Sequence, residues 1–444
     1  MKSSVLDANL NPNWEKFFML LLIINPIFDL YTGVYLNIAT NIAHMRVYDL
    51  LTPTLIVRML ILLVFAFYIL RLRDYKSIIY VSLIGVTFVL TTIGGILFAE
   101  TYSIFAEMTY IARFTYNIAI ILVFWRVFQR INWPKEKLLK WLNWVFALTS
   151  LIISGSILLA YAARMGFHTY GDRFGFRGSR GFFYSGNDIT AVLMVLLPLC
   201  FVTYMLMDKT LPRKHQYFYL LAPATAICAL FLIGTNTAYL AIIATVLTFF
   251  INALVHKKKQ QDKSRLKSFG KIMLATVIVF GVMTAISAAN FWLEFRDAIE
   301  AMGAHWRENP TLVSLISGRD VKLGLAWADY VAGNPYIWIF GVGRGSQALT
   351  IEMDLFEVFI YYGVFGTIIM TYLYLKLGVG FLRKFTKQVD LYSVACFLAV
   401  GLTTGYLILA GHVLFTVTSG FYYALILLYA HLYLSPSPQE VKIL

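Results

Sequence analysis

Three stretches of this sequence concentrate side chains able to do chemistry. GDRFGFRGSRGFFYSGND, residues 171 to 188, carries Arg173, Arg177 and Arg180 without a lysine and ends on Asn187 and Asp188. SGRD (317 to 320) and GVGRGS (341 to 346) add Arg319 and Arg344, and EMDLFE (352 to 357) follows with Glu352, Asp354 and Glu357. A guanidinium is a planar fork of donors that pairs two at a time with phosphate or carboxylate oxygens, whereas an ammonium is a point charge. Arginine without lysine therefore points to an anionic, oxygen-rich ligand held in one orientation. A carboxylate beside such a ligand can accept the proton of an attacking hydroxyl, and Glu352 is the favoured candidate. Asp354 serves that role or caps the helix that opens there, and Glu357, one turn on, is placed to pair an arginine. The glycines around Arg344 fit a tight turn or an anion nest, and Asn187 and Asp188 fit a helix cap as well as a ligand contact.

Lipid must be the solvent of the elements that position these groups. With 59% hydrophobic and 14% charged residues over 444 positions, and a mean hydropathy of +0.72, the chain cannot hide its apolar surface in a water-soluble core. Apolar runs of about 20 residues, each long enough to cross a bilayer, recur along it. They predict an all-α polytopic membrane protein with about twelve spans, near 17–37, 53–70, 77–98, 104–125, 141–162, 188–207, 217–235, 237–255, 272–290, 354–375, 391–411 and 413–434. Nine helices and a basic outer loop (163–187) thus fill 1–290, a large loop with short helices fills 291–353, three helices fill 354–434, and 435–444 is a cytoplasmic tail. The first 16 residues are polar and no small-residue cleavage site follows, so the first span is expected to be retained.

Lysine and arginine divide unequally between the two ends of these spans. With the N-terminus in the cytoplasm, the inside segments hold 18 Lys and 7 Arg, and the outside segments 1 Lys and 9 Arg. The inner set, including HKKKQQDKSRLKSFGK (256–271), follows the positive-inside rule and accounts for most of the net charge of +14. The outer arginines oppose that rule; they hold an anionic ligand, or they meet lipid headgroups or loop carboxylates such as Asp172. Arg113 and Arg58 lie within spans, where a charge defaults to function; they either extend the anion clamp or pair with Asp29.

Several classes are excluded. The inner segments are too short for a nucleotide-binding domain and carry no P-loop or dinucleotide fingerprint, and no basic-aromatic fold pattern suggests nucleic acid. Cys200, Cys228 and Cys396 fall in apolar runs without CxxC spacing, and His168 and His412 have no metal-ligand pattern, so neither metal nor cofactor is expected. An outward-facing enzyme would need a substrate already activated on a membrane lipid, and a phosphate-linked donor suits the arginines. A transporter or flippase of an anionic glycolipid is the rival class, but no inverted repeat is evident.

SGRDVKLGLAWADYVAGNPYIWIFGVGRG (317–345), followed by EMDLFEVFIYYGVFG (352–366) and preceded by RGFFYSGNDITAVLMVLLPL (180–199), resembles the O-antigen ligase and polymerase superfamily of bacterial membrane glycosyltransferases. The resemblance covers under a fifth of the chain, in the order and topology of the family. It implies a metal-independent enzyme at the outer face of the cytoplasmic membrane that polymerises undecaprenyl-diphosphate-linked repeat units, with ligase-like transfer of a finished glycan as the alternative. Lipid-linked donor and acceptor, membrane lipids, and chain-length regulator or flippase proteins are the expected partners. Acidic residues replace the His-Asn of the ligases, as in Gram-positive capsule or exopolysaccharide polymerases. Glu352 takes the ligase histidine's place by its spacing to Gly363 and Gly366. The ligases' histidine mechanism does not carry over, and on the chemistry of the residues themselves Glu352, Arg319 and Asp354 are the expected catalytic set, with Arg173, Arg177, Arg180, Arg344, Arg113 and Asn187 expected to bind the diphosphate and its sugar.

Overall fold

The computed structural model describes residues 13–41, 52–170, 178–207, 209–260, 263–286, 318–346 and 349–436, with Arg296 and Glu300 besides. Arg173 and Arg177 lie outside the described residues, as do nearly all of residues 287–317. The described chain is helical, relieved only by an isolated β-bridge between His168 and Ser179. In order the helices are α1 (Asn13–Asn41), α2 (Pro53–Arg71), α3 (Tyr75–Phe98), α4 (Ile104–Arg130), α5 (Lys135–Ala162), α6 (Gly186–Leu206), α7 (Arg213–Ile233), α8 (Asn236–Gln260), α9 (Ser264–Ile286), α10 (Arg319–Ala332), α11 (Pro335–Phe340), α12 (Asp354–Phe385), α13 (Leu391–Leu409) and α14 (Val417–Tyr433).

All but α10, α11 and α14 are long and apolar enough to cross a membrane, eleven among the described residues. The twelfth expected span, 413–434, is α14, whose 17 residues stand at the short limit for crossing. It starts late because residues 410–416 form a connection whose amides are used in the site. Polar residues start the helices where the apolar runs begin: Ser103 and Ser185 accept from the backbone N–H three residues on, and Asp390 and Ser393 form a reciprocal cap on α13.

The centre of the bundle consists of α4, α6 and α14. Every residue of α14 from Ser419 to Leu432 is buried, and α6 is buried from Ile189 to Met205. α14 packs on α4, α5, α6, α12 and α13. The outer helices α2, α3, α8 and α9 instead expose Leu, Ile, Val and Phe, as lipid requires.

One break in this regularity shapes the site. α12 is interrupted at Gly363, whose φ of +63° no other residue type adopts without strain. The break frees the Tyr361 carbonyl, which accepts the Gly343 N–H at 2.7 Å. α11 lies so close over it that a Cβ on Gly363 would stand 2.6 Å from the Ile339 carbonyl, and one on Gly341 2.1 Å from the Tyr361 oxygen. Gly341 is itself left-handed (φ +79°), so Gly341→Ala combines strain with a backbone clash, worth about 2–4 kcal/mol. Its expected result is a large loss of folded protein in detergent extracts followed by size-exclusion chromatography. Gly85→Ala in α3, which meets nothing within 4 Å, should match the parent.

Candidate active site

Four elements converge where α4, α12 and α14 begin: the α4 N-terminus, the 341–346 turn, the 352–357 segment, and the 410–416 connection. Two arginine-carboxylate pairs lie at their meeting point. Arg319, the first residue of α10, donates from Nη2 to Glu352 Oε2 at 2.8 Å, and Lys322 Nζ stands 3.8 Å from the other oxygen. Glu352 keeps a third of its side chain exposed. Its backbone is left-handed (φ +63°), a strained state for a non-glycine, and is held there by its own N–H donating to Glu357 Oε1 at 2.8 Å.

Behind this outer pair lies an inner one, Arg344 with Glu357, almost wholly buried, with Nε and Oε2 3.6 Å apart. Arg344 also donates to the Tyr110 hydroxyl (3.3 Å), Thr350 Oγ1 (3.2 Å) and the Leu349 carbonyl (3.5 Å). Its guanidinium lies between the Tyr110 and Tyr361 rings, 4.8 and 5.0 Å from their centroids. Burial works against its charge, but Glu357 and the two tyrosines more than offset this and hold its pKa above the ordinary arginine value.

The turn that carries Arg344 is bound to α4 rather than left as an open nest. Glu107, fully buried in the first turn of α4, accepts the Gly345 N–H at 2.7 Å and the Thr91 hydroxyl at 3.3 Å, while the Ser103 N–H donates to the Gly345 carbonyl at 2.7 Å. A Cβ on Gly343 would lie 2.5 Å from the Glu107 carboxylate. The amides of Gly343 and Gly345 are thus committed within the protein, and they fix the backbone from which the buried Arg344 side chain reaches Glu357. Glu107 escaped the sequence reading, although an acidic residue at the head of an apolar helix is a signal in itself.

Asp354 is engaged by backbone amides of a distant segment. It does not cap its own helix; Oδ2 accepts the backbone N–H groups of Val413 and, at 2.6 Å, Leu414, fixing the connection that leads into α14. Its other oxygen faces His412 Nδ1 at 3.4 Å, and the same nitrogen stands 3.9 Å from Glu357 Oε2. Asp354 therefore positions His412, and Glu352 is the more accessible carboxylate. Asp354, Glu357 and His412 bring one ligand atom each within 4.8 Å of one another, a spacing that could hold a metal ion. Arg344 and the two amides already compete for the same lone pairs.

Burial disfavours a charged His412, but the hydrogen bond and charge of Asp354, with Glu357 and Asp188, raise its pKa from the ordinary 6.5 to about 9. At neutral pH it is an imidazolium, a donor rather than a base. A pKa raised by folding gives stability that is complete below pH 6.5 and disappears as the pH rises through 9. The thermal midpoint of the purified protein is expected to fall across that interval, and His412→Gln should flatten this part of the profile.

Of the remaining candidates, Arg113 lines a cavity of 730 Å³ between α1, α2, α4, α6 and α14, and Arg180 and Asn187 do not. Arg113, Asp188 and Tyr184 line it, with a mostly apolar wall that includes Leu36, Met59, Phe105 and Ile189. Arg180 sits apart from the carboxylates, its guanidinium over the Phe167 and Tyr184 rings at 5.3 and 5.8 Å. Asn187 is exposed, and its carbonyl accepts from the Tyr406 hydroxyl at 3.3 Å. Arg58 pairs with Asp29, which also accepts from Thr418 at 2.6 Å. The structure thus gathers Arg319, Arg344, Glu352, Asp354 and Glu357 into one cluster with His412, sets Arg113 on the adjoining cavity wall, and keeps Arg180 among aromatic rings.

A family model described as O-antigen ligase like membrane protein matches residues 11–300 and 296–436. No curated protein and no solved structure matches the chain.

Proposed function

The chain belongs to the O-antigen ligase like membrane protein family, and from that premise we propose that it is a glycosyltransferase that polymerises undecaprenyl-diphosphate-linked repeat units at the outer face of the cytoplasmic membrane. The observation that carries this reading is the outer ion pair. Arg319 and Glu352 face each other at 2.8 Å on the accessible side of the cluster. An incoming diphosphate competes with Glu352 for the guanidinium fork, and its arrival releases the carboxylate beside the reacting centre. Binding and activation of the base are then one event.

In the proposed step the acceptor hydroxyl oxygen attacks the anomeric carbon and gives its proton to Glu352. The bond between that carbon and the phosphate oxygen breaks, and the electron pair leaves with the polyprenyl diphosphate. Arg319 and Arg344, with imidazolium His412, face the growing negative charge, and preformed donors of this kind stabilise it without reorganising. Asp354 and Glu107 hold His412 and Arg344 in place. The apolar cavity beside Arg113 is the proposed seat for the first isoprene units of the carrier. The lysine-rich helix ends, taken as cytoplasmic, support a cluster on the far side of the membrane.

Deletion of the protein, followed by analysis of lipid-linked glycans in the outer leaflet, tests this directly. Accumulated single repeat units support polymerisation. Long unattached chains would instead assign it the ligase reaction, and repeat units confined to the inner leaflet would assign it transport.

A further inference from the structure

We propose that α10 and α11 form an interfacial lever seated in the lipid surface, with the outer face of α10 against acyl chains and its inner face holding Arg319. This rests on where the apolar residues of the lever point, independently of the reaction assigned to the site. At 3.6 residues per turn, α10 divides into two faces. Arg319, Ala326 and Tyr330 are buried toward the protein, and Trp327 and Tyr330 pack on Phe359 of α12 with ring centroids 6.1 and 5.3 Å apart. The opposite arc is exposed and wholly apolar: Val321 (60% exposed), Leu325 (59%), Ala328, Val331 (52%) and Ala332. Its charged residues, Asp320, Lys322 and Asp329, flank that arc.

A short helix in an aqueous loop should turn such an arc inward. Here the inward face is already satisfied. The Tyr330 hydroxyl donates to the Trp338 carbonyl at 3.0 Å and Trp338 Nε1 donates to the Tyr330 carbonyl at 2.9 Å, locking α10 to α11 in one orientation. α11 in turn is fixed to α3, where the Tyr336 hydroxyl donates to the Leu90 carbonyl at 2.9 Å and the Tyr336 ring lies 5.6 Å from that of Phe98.

The occupant follows from continuity. α3 exposes Ile93, Ile96 and Leu97 and α12 exposes Val364 and Ile368, both membrane-crossing helices; α11, which exposes Trp338 and Ile339, packs on both, and α10 packs on α11 and α12. Exposed apolar residues on four helices packed side by side, two of them membrane-crossing, are met by a single solvent, the bilayer. The consequence is a fixed depth for Arg319. It projects from the first turn of a helix floating at headgroup level, where a lipid-borne phosphate would lie.

Nitroxide labels on the full-length protein in lipid nanodiscs test this, one at a time at Val321→Cys, Leu325→Cys and Val331→Cys, with Lys322→Cys and Asp329→Cys as flank controls. The native cysteines are all buried. Labels on the arc should collide with oxygen several-fold more than with a water-soluble nickel chelate, at a depth of about 5–10 Å, and the flank labels should favour the chelate. Arc labels open to the chelate would place this face in water. Arc labels immobile and shielded from both reagents would show protein on it, either residues 287–317 or a second copy. Either result overturns the proposal. Ala328→Cys and Ala332→Cys, minimal changes on the same arc, give the same measurement should a larger residue prove necessary for folding.

Discussion

Arg319→Lys is expected to lower polymer formation by roughly 10²-fold or more while the protein accumulates at parental levels. Lysine keeps the charge, and at α10's first turn its ammonium can still approach Glu352, so the lever should fold as before. What it loses is the fork. A diphosphate offers pairs of oxygens that a planar guanidinium grips with two parallel hydrogen bonds, whereas an ammonium holds it as a point charge free to rotate. Since Arg319 also holds Glu352 at 2.8 Å in the resting state, the substitution loosens both the resting latch and the clamp. The assay is elongation of a lipid-linked repeat unit in isolated membranes, normalised by immunoblot. Near-parental activity at normal abundance would remove Arg319 from the clamp.

The inner pair predicts a different pattern. Arg344→Ala leaves Glu357 as a buried charge without its nearest cation, and breaking a buried pair in this way costs about 3–5 kcal/mol. His412, 3.9 Å from Glu357, offsets part of that loss and puts it at the lower end. The single variant should therefore be depleted from membranes. The double variant Arg344→Ala with Glu357→Gln removes the stranded charge and should recover abundance while staying inactive, because the phosphate donor is still missing. Quantitative immunoblots and the elongation assay separate the two outcomes. A double variant as depleted as the single one would show that Arg344 stabilises the fold through its tyrosines and loop carbonyls more than through Glu357.

The helical architecture was legible in the sequence because lipid imposes a length and a composition on each span, and both are local properties. The pairing of Arg58 with Asp29, and of Glu357 with an arginine, was also within reach, since an intramembrane charge must find a partner. The rest depends on contacts between distant segments. Glu107 and Gly345 are 238 positions apart, and nothing in either neighbourhood announces the other. His412 looked like an isolated histidine until the 410–416 connection was seen folded onto Asp354. Gly363 read as a family position rather than as the break whose freed carbonyl ties down the arginine turn. The outer face of α10 was invisible for a subtler reason: its apolar residues have the same letters whether they face protein or lipid.

α14 is later in the chain than every helix it touches, yet it occupies the middle of them. α4, α6, α12 and α13 all pack against it. The histidine and the amides gripped by Asp354 arrive on the same stretch of polypeptide. The packing of the hydrophobic centre and the placement of His412 thus depend on one stretch of chain, and a protein truncated at residue 400 would lack both.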